Sequence, residues 1–240
     1  MKTLSVSLYN RPEYTKITLD HLDQCFDIDN YKIFIFCEPV NNEVIKLAES
    51  FRPQQTIVKI NQIRFGCNRN IYQSFNLGFY FNDFHIHLED DTVPSKDFLL
   101  YCEYCRFVFK HDTSIYSVSG YNREVDTLQK ISQTNLDTCA AIKRNHWFTP
   151  WGWATWVDRW NEIIKPSMEQ SFNTPHSWDV FVHKAQQEKY EILPIIARIQ
   201  NIGAENGSYC PGPAWHKQNQ YNEFWIESHK QYRQNFFLYE

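Results

Sequence analysis

The first ninety residues alternate short apolar runs with amphipathic segments. Residues 3–9 put Leu4, Val6 and Leu8 on one face of an extended segment and Ser5 and Ser7 on the other. This period of two predicts a β-strand, and Asn10-Arg11-Pro12 ends it. The same kind of analysis predicts further strands at 31–37, 56–60 and 84–88, and helices at 13–25, 43–51 and 68–81.

This order of elements predicts an α/β fold with a mixed, mostly parallel sheet flanked by helices. In such sheets, ligands bind at the carboxyl ends of the strands. The polar residues that directly follow strands are therefore the first candidates for a binding site. They are Asn10, Arg11, Glu38 and the triplet Glu89-Asp90-Asp91.

The second half of the chain has a different pattern. It predicts an amphipathic helix at 97–110, strands at 115–119 and 139–143, and a helix on the outside of the fold within the last thirty residues. Between 147 and 160 stand five tryptophans, which suit either a core or the floor of a sugar-binding cleft. Since no Gly/Ser linker, repeat or low-complexity segment interrupts residues 1–240, we expect a single domain.

Composition excludes several classes of protein. A net charge of −4 argues against a general nucleic-acid partner. No apolar run approaches the ~18 residues of a membrane span, and the first residues are too polar for a secretory signal, so we expect a cytoplasmic protein. Seven scattered cysteines fit reduced thiols in a core better than a disulfide scaffold or a zinc site.

The acidic triplet carries the chemistry of the first half. Three adjacent carboxylates at a strand end repel one another and require solvation, protonation or a hard cation. Mg²⁺ and Mn²⁺ prefer oxygen ligands and keep positions for substrate phosphates, so the triplet is compatible with a metal–diphosphate site. A solvated acidic turn is the alternative interpretation.

Residues 84–99, which contain this triplet, resemble the Asp-any-Asp region of GT-A glycosyltransferases. They are especially similar to the Glu-Asp-Asp form in the inverting N-acetylglucosaminyltransferase of N-glycan processing and its bacterial and viral relatives. The likeness covers about residues 3–205. Its other parts, in order, are 4–12, Cys37-Glu38-Pro39, Cys67-Asn68-Arg69-Asn70, 148–156, Ser177-Trp178-Asp179-Val180 and 198–203.

The resemblance implies a GT-A fold, with 1–115 as the nucleotide-sugar half and 116–240 as the acceptor half and C-terminal extension. It implies a divalent cofactor, Mn²⁺ or Mg²⁺, and, by analogy with the family, a UDP-linked donor. Asp91 would bind the metal, Asp90 the ribose or a metal-bound water, and Glu89 would support the loop. Binding of the base and ribose would fall to Asn10, Arg11 and Glu38, with Arg69 as a nearby cation.

The resemblance also implies an inverting transfer to a hydroxyl of a glycan or glycoconjugate, with Asp179 as the general base. The alternative for Asp179 is a carboxylate that interacts with the dipole of a helix beginning there. Asp158 and Glu162 are the other candidates for the base. Among the tryptophans, Trp151 and Trp153 are expected to line the acceptor cleft.

The chain departs from the family pattern at two places, and two other functions are also compatible with its sequence. Cys67 and Asn68 stand where the family often has a histidine, which weakens the transfer of base specificity. The expected Pro-Gly is Pro150-Trp151-Gly152, which weakens the transfer of acceptor specificity, so the identity of the sugar is not inherited. A metal-dependent hydrolase could use His85, His87, Asp90 and Asp91. A carbohydrate-binding module could use the aromatic residues, although such modules are usually all-β.

Overall fold

The computed structural model describes residues 1–123, 125–207, 210–223, 225–228 and 230–239, with the backbone only at 125, 126 and 128. The strands are β1 (Lys2–Leu8), β2 (Tyr31–Cys37), β3 (Thr56–Ile60), β4 (Phe84–Glu89), β5 (Thr92–Pro94), β6 (Ile115–Ser119), β7 (Ala141–Asn145), β8 (Trp153–Trp156), β9 (Tyr190–Pro194), β10 (Ile199–Asn201) and β11 (Phe237–Leu238). The helices are α1 (Pro12–Asp23), α2 (Asn42–Ser50), α3 (Cys67–Phe81), α4 (Phe98–Phe109), α5 (Val125–Ser132), α6 (Val157–Arg159), α7 (Lys165–Ser171), α8 (Trp178–Ala185) and α9 (Pro213–Asn219).

Nine of these strands form one mixed sheet in the order β11-β7-β9-β6-β8-β4-β1-β2-β3. The β1–β2, β1–β4, β2–β3, β6–β9 and β7–β11 pairs are parallel, whereas β8 runs antiparallel to both β4 and β6. The central strands are buried along their length, as expected for a sheet covered by helices on both faces. The predicted α/β class and mostly parallel sheet are confirmed.

The elements predicted in the first half all form, with shifts of a few residues at their ends. Local chemistry accounts for several of these ends. Pro12 lies in the first turn of α1, where its missing N–H costs nothing. Asn41 caps α2 by accepting hydrogen bonds from the backbone N–H groups of Glu43 and Val44. Periodicity therefore sufficed to place these elements.

The second half differs from its pattern in several places. The predicted strand at 139–143 lies at Ala141–Asn145, and the tryptophan-rich stretch contains β8 and a π-helical turn, Trp160–Ile164. β5 and β10 form a separate two-stranded antiparallel sheet. The last thirty residues contain α9, as expected, but also β11, which joins the sheet; positions 224, 229 and 240 of this segment lie outside the described residues.

The two largest apolar clusters among the described residues support the sheet. The larger surrounds β1, β2, β4 and α4, and the smaller is aromatic and joins α3 to α7 and α8. In the aromatic core, Trp153 stacks on Phe75 at 4.3 Å and on Trp178 at 5.3 Å between ring centroids. Helix α3 approaches the sheet closely at Gly78, where an added Cβ would lie 2.2 Å from His85 Nδ1. The aromatic core thus fixes α8, on which one wall of the site below depends.

Candidate functional site

A cavity of about 640 Å³ opens at the carboxyl ends of β1, β2 and β4. This is the edge where a doubly wound sheet binds its ligands. Residues from both halves of the chain line it. The first half supplies Arg11, Glu38, Arg64 and Glu89-Asp90-Asp91, and the second half supplies Trp147–Trp151, Pro175–Val180 and part of the segment 201–220.

Arg11 holds two acids of the triplet together. Its Nη2 donates to Asp91 Oδ2 at 2.8 Å and to Asp90 Oδ1, and its Nε lies 3.4 Å from Asp90 Oδ2. Asp90 also accepts a hydrogen bond from the backbone N–H of Tyr9. Arg11 follows β1 and the acids stand at the end of β4. The two groups meet because these strands pair side by side, with Ser7 opposite Glu89.

The electrostatics of this cluster are those of buried acids around one cation. Burial raises the pKa of the Asp90 carboxyl to about 6, although Arg11 favours its charged form. Burial raises the pKa of Glu89 well above its usual range, and repulsion from Asp91 and Asp90 adds to the rise. Burial opposes the charged form of Arg11, but the two carboxylates outweigh it and raise its pKa. One guanidinium therefore compensates only part of the acidic charge.

Glu38 lines the cavity, and its carboxylate is already hydrogen-bonded. Both oxygens accept from the backbone N–H of Phe65, at 3.2 and 3.0 Å, and Oε1 accepts from that of Gly66 at 2.8 Å. Gly66 has φ of 79°, which favours glycine, and directly precedes α3. Glu38 thus holds the loop that begins this helix at the cavity.

Another part of the cavity lining is aromatic. Trp151 lines the cavity and contacts Tyr121 edge to face, with 4.7 Å between ring centroids. Trp147 also lines the cavity, is 60% exposed and lies against His183 at 4.1 Å. A flat apolar ring held in place at a cavity mouth suits the C–H face of a pyranose or another ring.

Asp179 lies in the first turn of α8 and lines the cavity. Its Oδ1 is buried and has no hydrogen-bond partner among the described residues. Its charge contributes to the raised pKa of Glu89, which places the two carboxylates within electrostatic range. Asp158 and Glu162 are not among the lining residues, and Asp158 is paired with Arg159 at 2.8 Å. Of the three candidates for the base, Asp179 alone lies at the cavity.

Three of the predicted site residues are not among those that line the cavity. Trp153 is 0% exposed and belongs to the aromatic core, because β8 is a central strand covered on both faces. Arg69 points toward α7, with its guanidinium 4.7 Å from the Phe172 ring and Nη2 3.2 Å from Asn173 Oδ1. Asn10 is exposed and is not among the lining residues; its carbonyl accepts from Asn41. The expectation that Trp153 lines the acceptor cleft is wrong, whereas the roles of Asn10 and Arg69 toward a nucleotide stay predictions, although neither is among the lining residues.

The histidine cluster of the alternative hydrolase does not form. His85 and His87 are fully buried and hydrogen-bonded to Ser5 of the neighbouring strand, each at 2.8 Å. Burial lowers the pKa of His85 to about 3 and that of His87 well below its usual range. Within the described ranges, no group of three or more His, Cys, Asp or Glu side chains is placed to hold a metal ion. The His85/His87/Asp90/Asp91 arrangement is therefore wrong.

Sequence reasoning missed other lining residues. Arg64 lines the cavity with its guanidinium 4.8 Å from the Tyr9 ring, and Trp215 lines the cavity from α9. Gly203 lies so close to the acids that an added Cβ would be 2.1 Å from Asp91 Oδ2. Arg64 lies in a polar loop and Gly203 in a segment whose pattern indicates only a turn, so no local pattern identified either residue.

One further finding concerns the helices. Within the described residues, none has both the length and the apolar character needed to cross a bilayer.

No family model matches this chain, and no curated protein matches its sequence. Solved structures do match it. Staphylococcus aureus TarS 1-349 in complex with UDP-GlcNAc has a TM-score of 0.56 and 11% identity over 83% of this chain. GalNAc-T7 with UDP, GalNAc and Mn²⁺ has a TM-score of 0.60 and 11% identity over 84% of this chain. The chain spans 58% and 44% of their lengths. At these identities the comparison establishes architecture: the protein shares the α/β fold of these structures.

Proposed function

We propose that this protein is a glycosyltransferase that moves a sugar from a nucleotide-diphosphate donor to a hydroxyl of a glycan or glycoconjugate. Residues 1–115 would hold the donor and 116–240 the acceptor. UDP is the first nucleotide to test, since the TarS and GalNAc-T7 structures contain UDP-GlcNAc and UDP. The likeness of residues 84–99 to the inverting N-acetylglucosaminyltransferase group extends the proposal to an inverting reaction.

One observation carries the proposal. One cavity at the carboxyl ends of β1, β2 and β4 is lined by the partly buried acids of the triplet, by aromatic side chains and by the carboxylate of Asp179. The acids lie where the fold binds nucleotides. The aromatic wall and a carboxylate with an unpaired oxygen suit a sugar hydroxyl. A donor and an acceptor could therefore meet in this cavity.

The acids would hold a divalent ion such as Mn²⁺ or Mg²⁺ through Asp91 and would depend on substrate phosphates and water for further ligands, since no group of three such side chains is placed to hold an ion within the described residues. Five carboxylates line the cavity against two guanidinium groups, so a diphosphate would be repelled without a further positive charge. The carboxylate of Asp91 lines the cavity, and a carboxylate oxygen is a suitable ligand for a hard ion. Asp91 would hold the ion, which would supply charge stabilisation of the leaving diphosphate. Asp90 and Glu89 would set the position of Asp91 and the ribose.

Asp179 would act on the acceptor. A hydroxyl is a poor nucleophile near neutral pH, and a carboxylate within hydrogen-bond reach can take its proton as the bond to the anomeric carbon forms. A single base and direct displacement invert the anomeric centre, with no covalent carboxylate intermediate. Trp151 and Trp147 would orient the acceptor ring.

Donor binding is tested by thermal unfolding with a panel of nucleotide-sugars, with and without Mn²⁺. A ligand that binds the native state raises its apparent stability. We expect a UDP-sugar to raise Tm in a Mn²⁺-dependent manner, and Asp91→Ala to abolish that rise. A panel in which no nucleotide-sugar shifts Tm under any condition would contradict the proposed function.

The base is tested by turnover. Asp179→Asn should retain the donor-dependent rise in Tm but lose at least ~10²-fold in kcat, the usual contribution of a general base. Asp158→Asn is the matched control, since this residue is acidic, half-exposed and outside the cavity lining. Equal loss in both variants, or full activity of Asp179→Asn, would remove Asp179 from the mechanism.

A further inference from the structure

We infer that Arg11 is an internal counter-ion that occupies the metal-binding carboxylate of Asp91 until a nucleotide diphosphate arrives. The inference rests on the proposed function and adds to it a coupling between ion and nucleotide. Arg11 would block tight binding of a divalent ion alone and permit it when phosphate oxygens are present. Ion and nucleotide would then bind with positive cooperativity.

The contacts of Arg11 are those of a fixed pair rather than a loose surface bridge. Its Nη2 serves both Asp90 and Asp91, and its side chain is only 11% exposed. The guanidinium also lies 5.3 Å from the Tyr14 ring. Because Nη2 donates to Asp91 Oδ2 at 2.8 Å, an ion that uses this oxygen must compete with a hydrogen-bonded cation.

The loop after β10 covers this pair. An added Cβ at Gly203 would lie 2.1 Å from Asp91 Oδ2 and 3.3 Å from Arg11 Nη1, and one at Gly207 would lie 3.4 Å from the same nitrogen. The backbone N–H of Glu205 donates to the Tyr14 hydroxyl at 3.2 Å and so attaches the loop to α1. The Arg11–Asp91 contact is therefore enclosed by both α1 and the loop.

One donor of Arg11 has no acceptor. Its Nη1 is buried and lacks a hydrogen-bond partner among the described residues. An unsatisfied buried donor costs free energy, and guanidinium groups bind phosphate oxygens in a forked geometry. An arriving diphosphate offers acceptors that the free protein lacks. It thereby favours a rearranged Arg11 that shares its hydrogen bonds with phosphate and leaves Asp91 free.

Arg64 provides an internal comparison. It carries the same charge and lines the same cavity, but its guanidinium lies over Tyr9 at 4.8 Å. Among the described residues it has no ion pair with the triplet, whereas Arg11 pairs with two of its members. Removing either arginine changes the charge of the cavity by the same amount. Only the removal of Arg11 releases Asp91.

The test is a Mn²⁺ titration, followed by the EPR signal of free Mn²⁺, on the wild type, Arg11→Gln and Arg64→Gln without nucleotide. We expect Arg11→Gln to bind Mn²⁺ at least ~10-fold more tightly than the wild type, or about 1.4 kcal/mol. Arg64→Gln should gain less than ~3-fold, since its charge is removed at a distance and is screened by salt. Circular dichroism checks that each variant folds.

A second titration adds UDP. In the wild type, UDP should tighten Mn²⁺ binding at least ~10-fold, and in Arg11→Gln by clearly less, because Asp91 is already free. If Arg11→Gln does not fold, Arg11→Lys takes its place: an ammonium cannot make the two-nitrogen contact by which Nε and Nη2 hold Asp90 while Nη2 reaches Asp91, so Mn²⁺ should still bind more tightly than in the wild type.

Equal gains in Arg11→Gln and Arg64→Gln, or no gain in Arg11→Gln, would overturn the inference and leave only a general effect of charge. UDP binding that is equally tight with and without Mn²⁺ would also overturn it, since Arg11 would then replace the ion. Failure of the proposed function gives a different result: the wild type would bind no UDP at all, whatever the Mn²⁺ titrations show.

Discussion

Glu191 makes stability depend on pH in a direction opposite to that of most carboxylates. It is 0% exposed on β9. Its oxygens each accept from the backbone N–H of Thr149 at 3.0 Å, and Oε2 accepts from Ser117 Oγ at 3.1 Å. Burial raises its pKa from 4.5 to about 8, and the hydrogen bonds from Thr149 and Ser117 only partly oppose this.

The sign of the effect follows from proton binding. Between pH 4.5 and 8 the folded chain keeps a proton on Glu191 that the unfolded chain has released. The stabilisation from this proton is therefore fully present below pH 4.5, decreases as pH rises, and is gone above about pH 8. The two pKa values differ by about 3.5, and each pH unit is worth about 1.36 kcal/mol, which gives an upper bound of ~5 kcal/mol.

The perturbation is Glu191→Gln, which cannot ionise and keeps a carbonyl acceptor for Thr149. Urea unfolding at pH 5, 6, 7 and 8, followed by tryptophan fluorescence, gives the free energy of unfolding. Relative to the wild type, we expect the free energy of unfolding of the variant to rise by up to several kcal/mol between pH 5 and 8. Glu188→Gln, an exposed neighbour, is the control. If the wild-type and Glu191→Gln free energies run parallel over this range, Glu191 is already ionised at pH 5 and the reasoning is refuted.

Two other predictions concern stability. Trp153→Ala should lower the free energy of unfolding by about 3–5 kcal/mol because it opens a cavity in the aromatic core. Trp147→Ala, at an exposed position, should change this free energy by less than ~0.5 kcal/mol. Urea unfolding measures both values, and equal losses in the two variants would contradict the difference in burial. Asp97→Asn should lower the free energy of unfolding by about 3–5 kcal/mol because it leaves the buried Arg198 guanidinium without its counter-charge. Asp137→Asn, at an exposed ion pair, should lower it by less than ~1 kcal/mol. A thermal scan in which Asp97→Asn unfolds no earlier than Asp137→Asn would show that the carbonyls around Arg198 suffice.

The sequence predicted the first half of the fold because each element there depends on local information. Apolar alternation defines β1, β2 and β4, and Pro12 and Asn41 lie where helices begin. The second half depends on pairings between distant segments. Strand β8 is only four residues long and lies between β4 and β6, and β11 has two residues and joins β7. Strands that short have no period to detect.

The candidate site shows the same difference between residues that a local pattern identifies and residues whose position depends on distant segments. The acids at 89–91 were found because they directly follow a strand, and topology alone brings a strand end to the ligand-binding edge. Trp153 and Trp147 could not be told apart, since both belong to one aromatic run and their separate environments arise from α3, α8 and β8. Arg69 lies one turn into α3, where a small rotation decides whether the guanidinium meets the cavity or Phe172.

The roles of Arg11 and Trp153 lead to one view of how the site is built. The sheet edge positions Asp91, and the aromatic core that packs against α8 positions Asp179, and both residues line the cavity. Between them lies an excess of buried negative charge, for which Arg11 compensates only partly. Such an arrangement is costly in the empty protein and is relieved by a bound cation with its diphosphate. Binding energy from the donor would therefore be used to complete the site. Because the pKa of Glu89 is raised well above its usual range, Glu89→Gln, which cannot ionise, should stabilise the free protein relative to the wild type by an amount that grows as pH rises, and should weaken its response to Mn²⁺ and UDP.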